Sequence, residues 1–228
     1  MSLAEQFAIR YAGLRQAYGT FTATDDLRED GKANGKNVTI SKELSDNDLL
    51  KLWEGHLSGK QSVGIVPIDE NNMCVWGAID VDEYQLDLKG LAKKLVKHKL
   101  PLVLCRSKSG GAHIYLFIDE PVSASLLQRK LRQLAASIGF GQAEIFPKQN
   151  KVDMNKGGTG SFLNLPYHNA LLSMRYGIKD DGSAMDLIQF FEAHSKVKLT
   201  EDQLSKLSIQ EEKVVDNLLK GAPPCLVT

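Results

Sequence analysis

The order of elements between residues 73 and 146 constrains this chain more than any other feature of it. Residues 73–82 (MCVWGAIDVD) alternate as a strand does, and residues 87–99 set Leu88, Leu91, Leu95 and Val96 on one helical face. Two more strands follow at 102–106 (LVLCR) and 113–118 (HIYLFI). Ser123 then caps a helix striped by Leu126, Leu127, Leu131, Leu134 and Ile138, and 142–146 is a fourth strand. This βαββαβ order is the split βαβ motif of ferredoxin-like and RRM-like folds, so the expected class is α+β, with an antiparallel sheet in the spatial order fourth, first, third, second. The C-terminal end of the first strand then lies beside the N-terminal ends of the third and fourth. Asp80, Asp82, His113 and Glu144 are thereby predicted to converge.

Strand parity gives the same result independently, since residues two apart share a face. Val75, Ile79 and Val81 are expected to face the two helices, which leaves Trp76, Ala78, Asp80 and Asp82 on an open face. Ile114, Leu116 and Ile118 suit the helix side of the third strand, with His113, Tyr115 and Phe117 opposite. On the fourth strand Ile145 points inward, and Glu144 and Phe146 outward.

Two carboxylates on one strand face repel each other unless positive charge separates them, and hard divalent cations such as Mg²⁺ or Mn²⁺ serve that purpose. Asp80 and Asp82 with Glu144 are therefore the expected metal and catalytic residues of a two-metal site suited to in-line phosphoryl chemistry. The segment RSKSGGAH brings Arg106, Ser107, Lys108, Ser109 and the flexible Gly110 and Gly111 into one loop able to wrap a phosphate chain. His113, at its end, is a candidate ligand for a triphosphate oxygen. The glycine-bearing stretch from FPKQ (146–149) through GGTGS (157–161) to LNLP (163–166) is too long for a simple strand connection, and Lys148 and Lys156 in it could neutralise phosphate.

Ahead of the motif, Leu3, Phe7, Ala8, Tyr11 and Leu14 predict a helix over 3–17. Residues 24–37 (TDDLREDGKANGKN) read as a mobile surface loop. Ser45 with Asp48 forms a capping-box pattern before a helix ending near Gly59, and 62–68 (SVGIVPI) reads as a strand. Lys and Arg total 28 against 28 Asp and Glu, so any nucleic-acid partner must be held by local patches rather than by a global positive field. Cys74, Cys105 and Cys225 have no ligand spacing, which predicts no structural zinc and a reducing cytoplasm. No apolar run approaches the ~20 residues of a membrane span, so no membrane partner is expected.

In their order along the chain, HLSGKQSVGIVPI (56–68), AIDVD (78–82), RSKSGGAH (106–113), EIFPKQ (144–149) and GGTGSFLNLPYH (157–168) resemble the catalytic domain of the archaeo-eukaryotic primase superfamily, nearest the primase-polymerases of phages, plasmids and TOTE-type conflict systems. The resemblance implies a DNA primase/polymerase, a nucleotidyltransferase that extends on single-stranded DNA template and primer from NTPs or dNTPs. It implies metal ligation by Asp80, Asp82 and Glu144, and phosphate contact by His113, with Arg175 in SMRYGI as a further nucleotide contact. It also implies an N-terminal lobe at 1–70, an RRM-like catalytic lobe at 71–180, and a helical extension at 181–228 leading toward a further region such as a helicase. Three positions depart from the family pattern: Gly111 stands where many relatives have Ser, the third acid is Glu144 where Asp is frequent, and Ser161 stands where Asn is frequent.

Two other readings share the chemistry or the fold. A nuclease could use the same metals, and a non-catalytic RRM-like module would present Trp76, Tyr115 and Phe117 to RNA bases. The second predicted C-terminal helix includes Leu204, Leu207, Val214, Val215 and Leu218. The chain then ends on GAPPCLVT, apolar enough to suggest continuation into a longer replication protein.

Overall fold

The structure, a computed structural model, describes residues 1–27, 33–83, 85–153 and 158–207. Its elements in chain order are α1 (Leu3–Arg10), β1 (Ala17–Leu27), β2 (Ala33–Ser41), α2 (Asp46–Leu57), β3 (Gly64–Ile65), β4 (Met73–Val81), α3 (Leu88–Lys97) and β5 (Val103–Arg106). They continue with β6 (Ala112–Ser123), α4 (Ala124–Ser137), β7 (Glu144–Phe146), β8 (Leu163–Asn164), α5 (Leu187–Val197) and α6 (Glu201–Lys206). Two antiparallel four-stranded sheets result, ordered β2-β1-β3-β8 and β5-β6-β4-β7. The second is the α+β sheet expected from the βαββαβ pattern, with strand order fourth, first, third, second. Among the described residues no helix is long and apolar enough to cross a membrane.

Parity decides how that sheet is packed. Ile79, Val81, Ile114, Leu116, Ile118 and Ile145 form one core with Leu91 and Leu95 of α3 and Leu127, Leu131 and Leu134 of α4. Trp76, Ala78, Tyr115, Phe117 and Phe146 lie on the other face, as expected, but that face is not open. Phe7 of α1 and Tyr11 just after it, Trp53 of α2, and Phe190 and Phe191 of α5 cover it. Trp76, Tyr115 and Phe117 are fully buried, with the Tyr11 ring 5.2 Å from Trp76 and 5.4 Å from Tyr115. Val75 also departs from expectation and packs on the aromatic side. The cause is a bulge: Cys74 pairs with Val122 but Trp76 with Phe117, so alternation is interrupted between them.

Three N-terminal expectations are corrected. The first helix stops at Arg10 rather than 17, because Gly13 passes so close to β3 that a Cβ there would lie 2.1 Å from the Val66 carbonyl, which accepts from Leu14 N at 3.0 Å. Phe7 and Tyr11 serve the aromatic core while Leu14 serves the other, so one apparent stripe supplies two cores. Residues 24–27 and 33–37, expected in a loop, belong to the β1–β2 hairpin, paired from Ala17↔Ser41 to Leu27↔Ala33. A ladder closed by backbone hydrogen bonds needs no apolar period, which is why the sequence pattern concealed it. The strand expected over 62–68 pairs only at Gly64 and Ile65. The Ser45/Asp48 capping box and the Ser123 cap form as expected. The tail beyond Leu207, with Val214, Val215, Leu218 and GAPPCLVT, lies outside the described residues, as does Lys156.

Candidate active site

The register of the second sheet builds the site. Asp80 pairs with His113 on one side and with Glu144 on the other, so the three form a row across β6, β4 and β7. Asp82 follows two residues on. These four, with Ser107, Lys108, Ser109, Lys148 and Arg175, line one cavity of about 650 Å³. Its remaining wall comes from Phe21, Gly35 and Asn37 of the hairpin, from Phe146, and from Phe162, Leu163 and Asn164. Gly35 and Asn37 were hidden in a segment read as a loop, and Phe21 lies just ahead of it. Phe162 and Asn164 stand inside the GGTGSFLNLP motif but carry no catalytic residue type, so parity and chemistry passed over them.

The acidic row is electrostatically strained. Burial first, then repulsion from Asp82 and Glu144, pushes the Asp80 carboxyl up to about 6, and Lys148 opposes this. His113 is buried, and desolvation together with the Arg175 charge pushes its imidazole down to about 4, so the ring is neutral at physiological pH. The 3.4 Å approach of its Nε2 to Asp80 Oδ1 is therefore a polar contact between unlike groups, not an ion pair. Its Nδ1 lies 3.2 Å from the Tyr115 hydroxyl, which fixes the ring from behind.

The RSKSGG segment is a tight turn. Ser107 N donates to Gly111 O at 2.9 Å, Gly110 sits at φ +97°, and Gly111 leaves so little space that a Cβ would meet the Val81 carbonyl at 2.1 Å. Ser107 and Ser109 hydroxyls lie 3.1 Å apart, and Ser109 Oγ donates to Asp82 Oδ1 at 3.1 Å. Lys108 Nζ rests 3.0 Å from the centre of the Phe21 ring. Arg175 is buried, its Nη1 3.3 Å from Ser62 Oγ and 3.4 Å from Leu165 O. Arg106 does not join the cavity wall. Its Nη1 donates to Met174 O at 2.8 Å, so it fastens one loop to another. Gly110 and Gly111 shape the turn rather than line the cavity.

Among the described residues no three His, Cys, Asp or Glu side chains are gathered closely enough to hold an ion. Glu144 Oε2 lies 2.6 Å from Lys148 Nζ. Asp80 and Asp82 supply hard oxygen donors whose mutual repulsion a divalent cation would relieve, so the residues fit as a two-carboxylate seat that Glu144 can join once Lys148 leaves it.

Three comparisons bear on this geometry. The primase-polymerase AEP domain (PP-N190) of cyanophage S-2L, a solved structure, is 13% identical, with 84% of this chain and 95% of that one covered at a TM-score of 0.43. A likeness of that size carries no argument about activity. No curated protein matches the chain. The family described as TOTE conflict system, Archaeo-Eukaryotic Primase domain, matches residues 5–207, nearly the whole of the described fold and every element that lines the cavity. The chain belongs to the archaeo-eukaryotic primase domain family of TOTE conflict systems.

Proposed function

We propose that this domain is a template-directed nucleotidyltransferase, a primase-polymerase that joins NTPs or dNTPs on single-stranded DNA within the replication or defence machinery of a phage, plasmid or similar element. The observation that carries the reading is the in-register row His113–Asp80–Glu144 beside Asp82, lining one cavity together with Lys108, Lys148 and Arg175. A cavity of about 650 Å³ is of the size that takes a small molecule such as a nucleotide.

Each residue has a definite task. Lys108 and Arg175 neutralise the triphosphate, and the Ser107 and Ser109 hydroxyls with the amides of the turn donate to its oxygens. His113, neutral, donates a hydrogen bond without adding fixed charge. Asp80 and Asp82, with Glu144 when Lys148 releases it, would hold Mg²⁺ or Mn²⁺. Bound there, the metal supplies an activated attacking hydroxyl and charge neutralisation at the departing pyrophosphate.

A non-catalytic RRM-like module is disfavoured by one observation: the aromatics that would stack on bases are fully buried. A nuclease would share the carboxylates, so the assay must separate the two. A labelled primer annealed to a longer template is incubated with Mn²⁺ or Mg²⁺ and with NTPs or dNTPs supplied separately. Lengthening is the expected result, and shortening would overturn it. Asp80→Asn removes a ligand worth several kcal/mol, so extension should fall on the order of a thousandfold. The same variant in EDTA should melt no lower than the parent, since the carboxylate it replaces is raised by repulsion and burial.

A further inference from the structure

The segment Tyr167–Arg175 presents an exposed apolar tip on a rigid loop. Leu171, Leu172 and Met174 are 95%, 78% and 61% exposed, which is costly display for three large apolar side chains within four positions. The loop cannot fold them back. Asn169 N and Ala170 N donate to His56 O and Leu57 O at the end of α2, each at 2.9 Å, and Leu172 N donates to Asn169 O at 2.9 Å. Arg106 Nη1 fastens the Met174 carbonyl, and Ser173 Oγ both donates to Arg175 O and accepts from Arg175 N. Tyr167 and Asn169, neither a glycine, hold φ of 62° and 53°. Backbone held in that region persists where its surroundings enforce it, and such positions cluster at functional sites.

Two further facts indicate what meets the tip. The loop ends on Arg175, which lines the nucleotide cavity. Leu172 lies three residues before it, so the tip is at most about 11 Å of chain from the cavity wall. The surrounding sequence is also free of carboxylates: 154–179 contains no Asp or Glu, and neither does 88–118, which supplies Arg106 and Lys108. Neither segment opposes a polyanion with a carboxylate of its own, although the cavity beside them carries Asp80, Asp82 and Glu144, and apolar Leu and Met side chains are of the kind that wedge against nucleobases.

We propose that Leu171, Leu172 and Met174 form an apolar wedge against the unpaired template bases next to the nucleotide site. The inference rests on the polymerase reading above. The test uses fluorescence anisotropy with a primer–template carrying a single-stranded 5′ overhang, and the same duplex with that overhang abasic. The parent protein should prefer the base-bearing overhang about tenfold, the scale of one or two base contacts. The double variant Leu171→Ser/Leu172→Ser should lose that preference, bind the abasic overhang as the parent does, and keep the parent's slope of log affinity against log salt, because no phosphate contact is removed. Nucleoside triphosphate binding should be unchanged in the variant. Equal loss on both overhangs, or none, overturns the wedge. So does loss of self-association in sedimentation with strand binding intact, which would make the tip a contact between copies of the chain. A parent protein that binds and extends the strand while the variant matches it sinks the wedge alone; a parent that neither binds nor extends sinks the polymerase reading with it.

Discussion

Lys148 and Glu144 hold each other, and on the proposed reading that contact has to open before Glu144 can serve a divalent ion. Their contact is short at 2.6 Å, but both side chains are substantially exposed, and exposed pairs contribute only about 0–1 kcal/mol. The backbone beneath is fixed, since Gln128 Nε2 donates to Pro147 O at 2.8 Å and to Lys148 O at 2.9 Å. The side chain alone therefore has to move. Lys148→Met should raise Mn²⁺ affinity roughly threefold to fivefold while weakening triphosphate binding, both read by isothermal titration. Unchanged Mn²⁺ affinity would separate Glu144 from the metal. At this scale the convergence of the candidate site was largely legible: the strand order brought Asp80, His113 and Glu144 to one sheet end and alternation put them on one face, while the pairing of Asp80 with both neighbours comes from the structure's register. Arg106 was not legible, because a long guanidinium reaches as far as the neighbouring chain allows, and the path of the loop that carries Met174 is absent from its local sequence.

Among the elements, the meeting of β1, β3 and β8 depends on two missing side chains. Gly19 pairs with Gly64 and Gly64 with Asn164, and the Phe162 ring lies across both glycines. A Cβ at Gly64 would lie 2.3 Å from Phe162 Cδ2, and one at Gly19 would lie 2.1 Å from the same atom. Since Phe162 also lines the cavity, Gly64→Ala should cost about 1–3 kcal/mol of stability and raise the apparent KM for nucleotide. Gly55→Ala is the contrast: its Cβ would meet nothing nearer than Gln61 Cβ at 3.8 Å, and within α2 the change should stabilise by about 0.5–1 kcal/mol. Thermal melting of both variants checks the pair. The same junction shows where elements escape a reading of sequence. Helices and apolar strands announce themselves by period, whereas β3 and β8 are two-residue pairings and β1–β2 is a polar hairpin, all specified by partners distant in the chain.

Across the whole molecule, His56 is the keystone of the packing around α2. Its Nδ1 accepts from Val63 N at 2.9 Å and its Nε2 lies 2.8 Å from Pro166 O, so one neutral ring joins α2 to the approaches of β3 and β8. Burial pushes its pKa down to about 3 from an ordinary 6.5. The depressed value fixes the sign: below pH 6.5 the unfolded chain takes up a proton that the folded ring refuses, so stability is complete above 6.5 and declines as pH falls toward 3, by up to about 1.4 kcal/mol per unit. The melting temperature should drop steadily from pH 7 to pH 4. His56→Gln should melt lower at pH 7 yet show a shallower pH dependence; an equal slope would remove His56 from the account. What covers the second sheet was the largest feature that the sequence left unread. Alternation says which residues share a face, not what lies over it, and the covering helices α1, α2 and α5 come from opposite ends of the chain. That covered face has a practical consequence. The chain has two tryptophans, Trp53 and Trp76, and both are fully buried in the aromatic layer between the N-terminal helices and the second sheet. Intrinsic fluorescence is therefore a built-in optical gauge of that seam, emitting toward the blue while the layer is closed and shifting to the red when the two sides part.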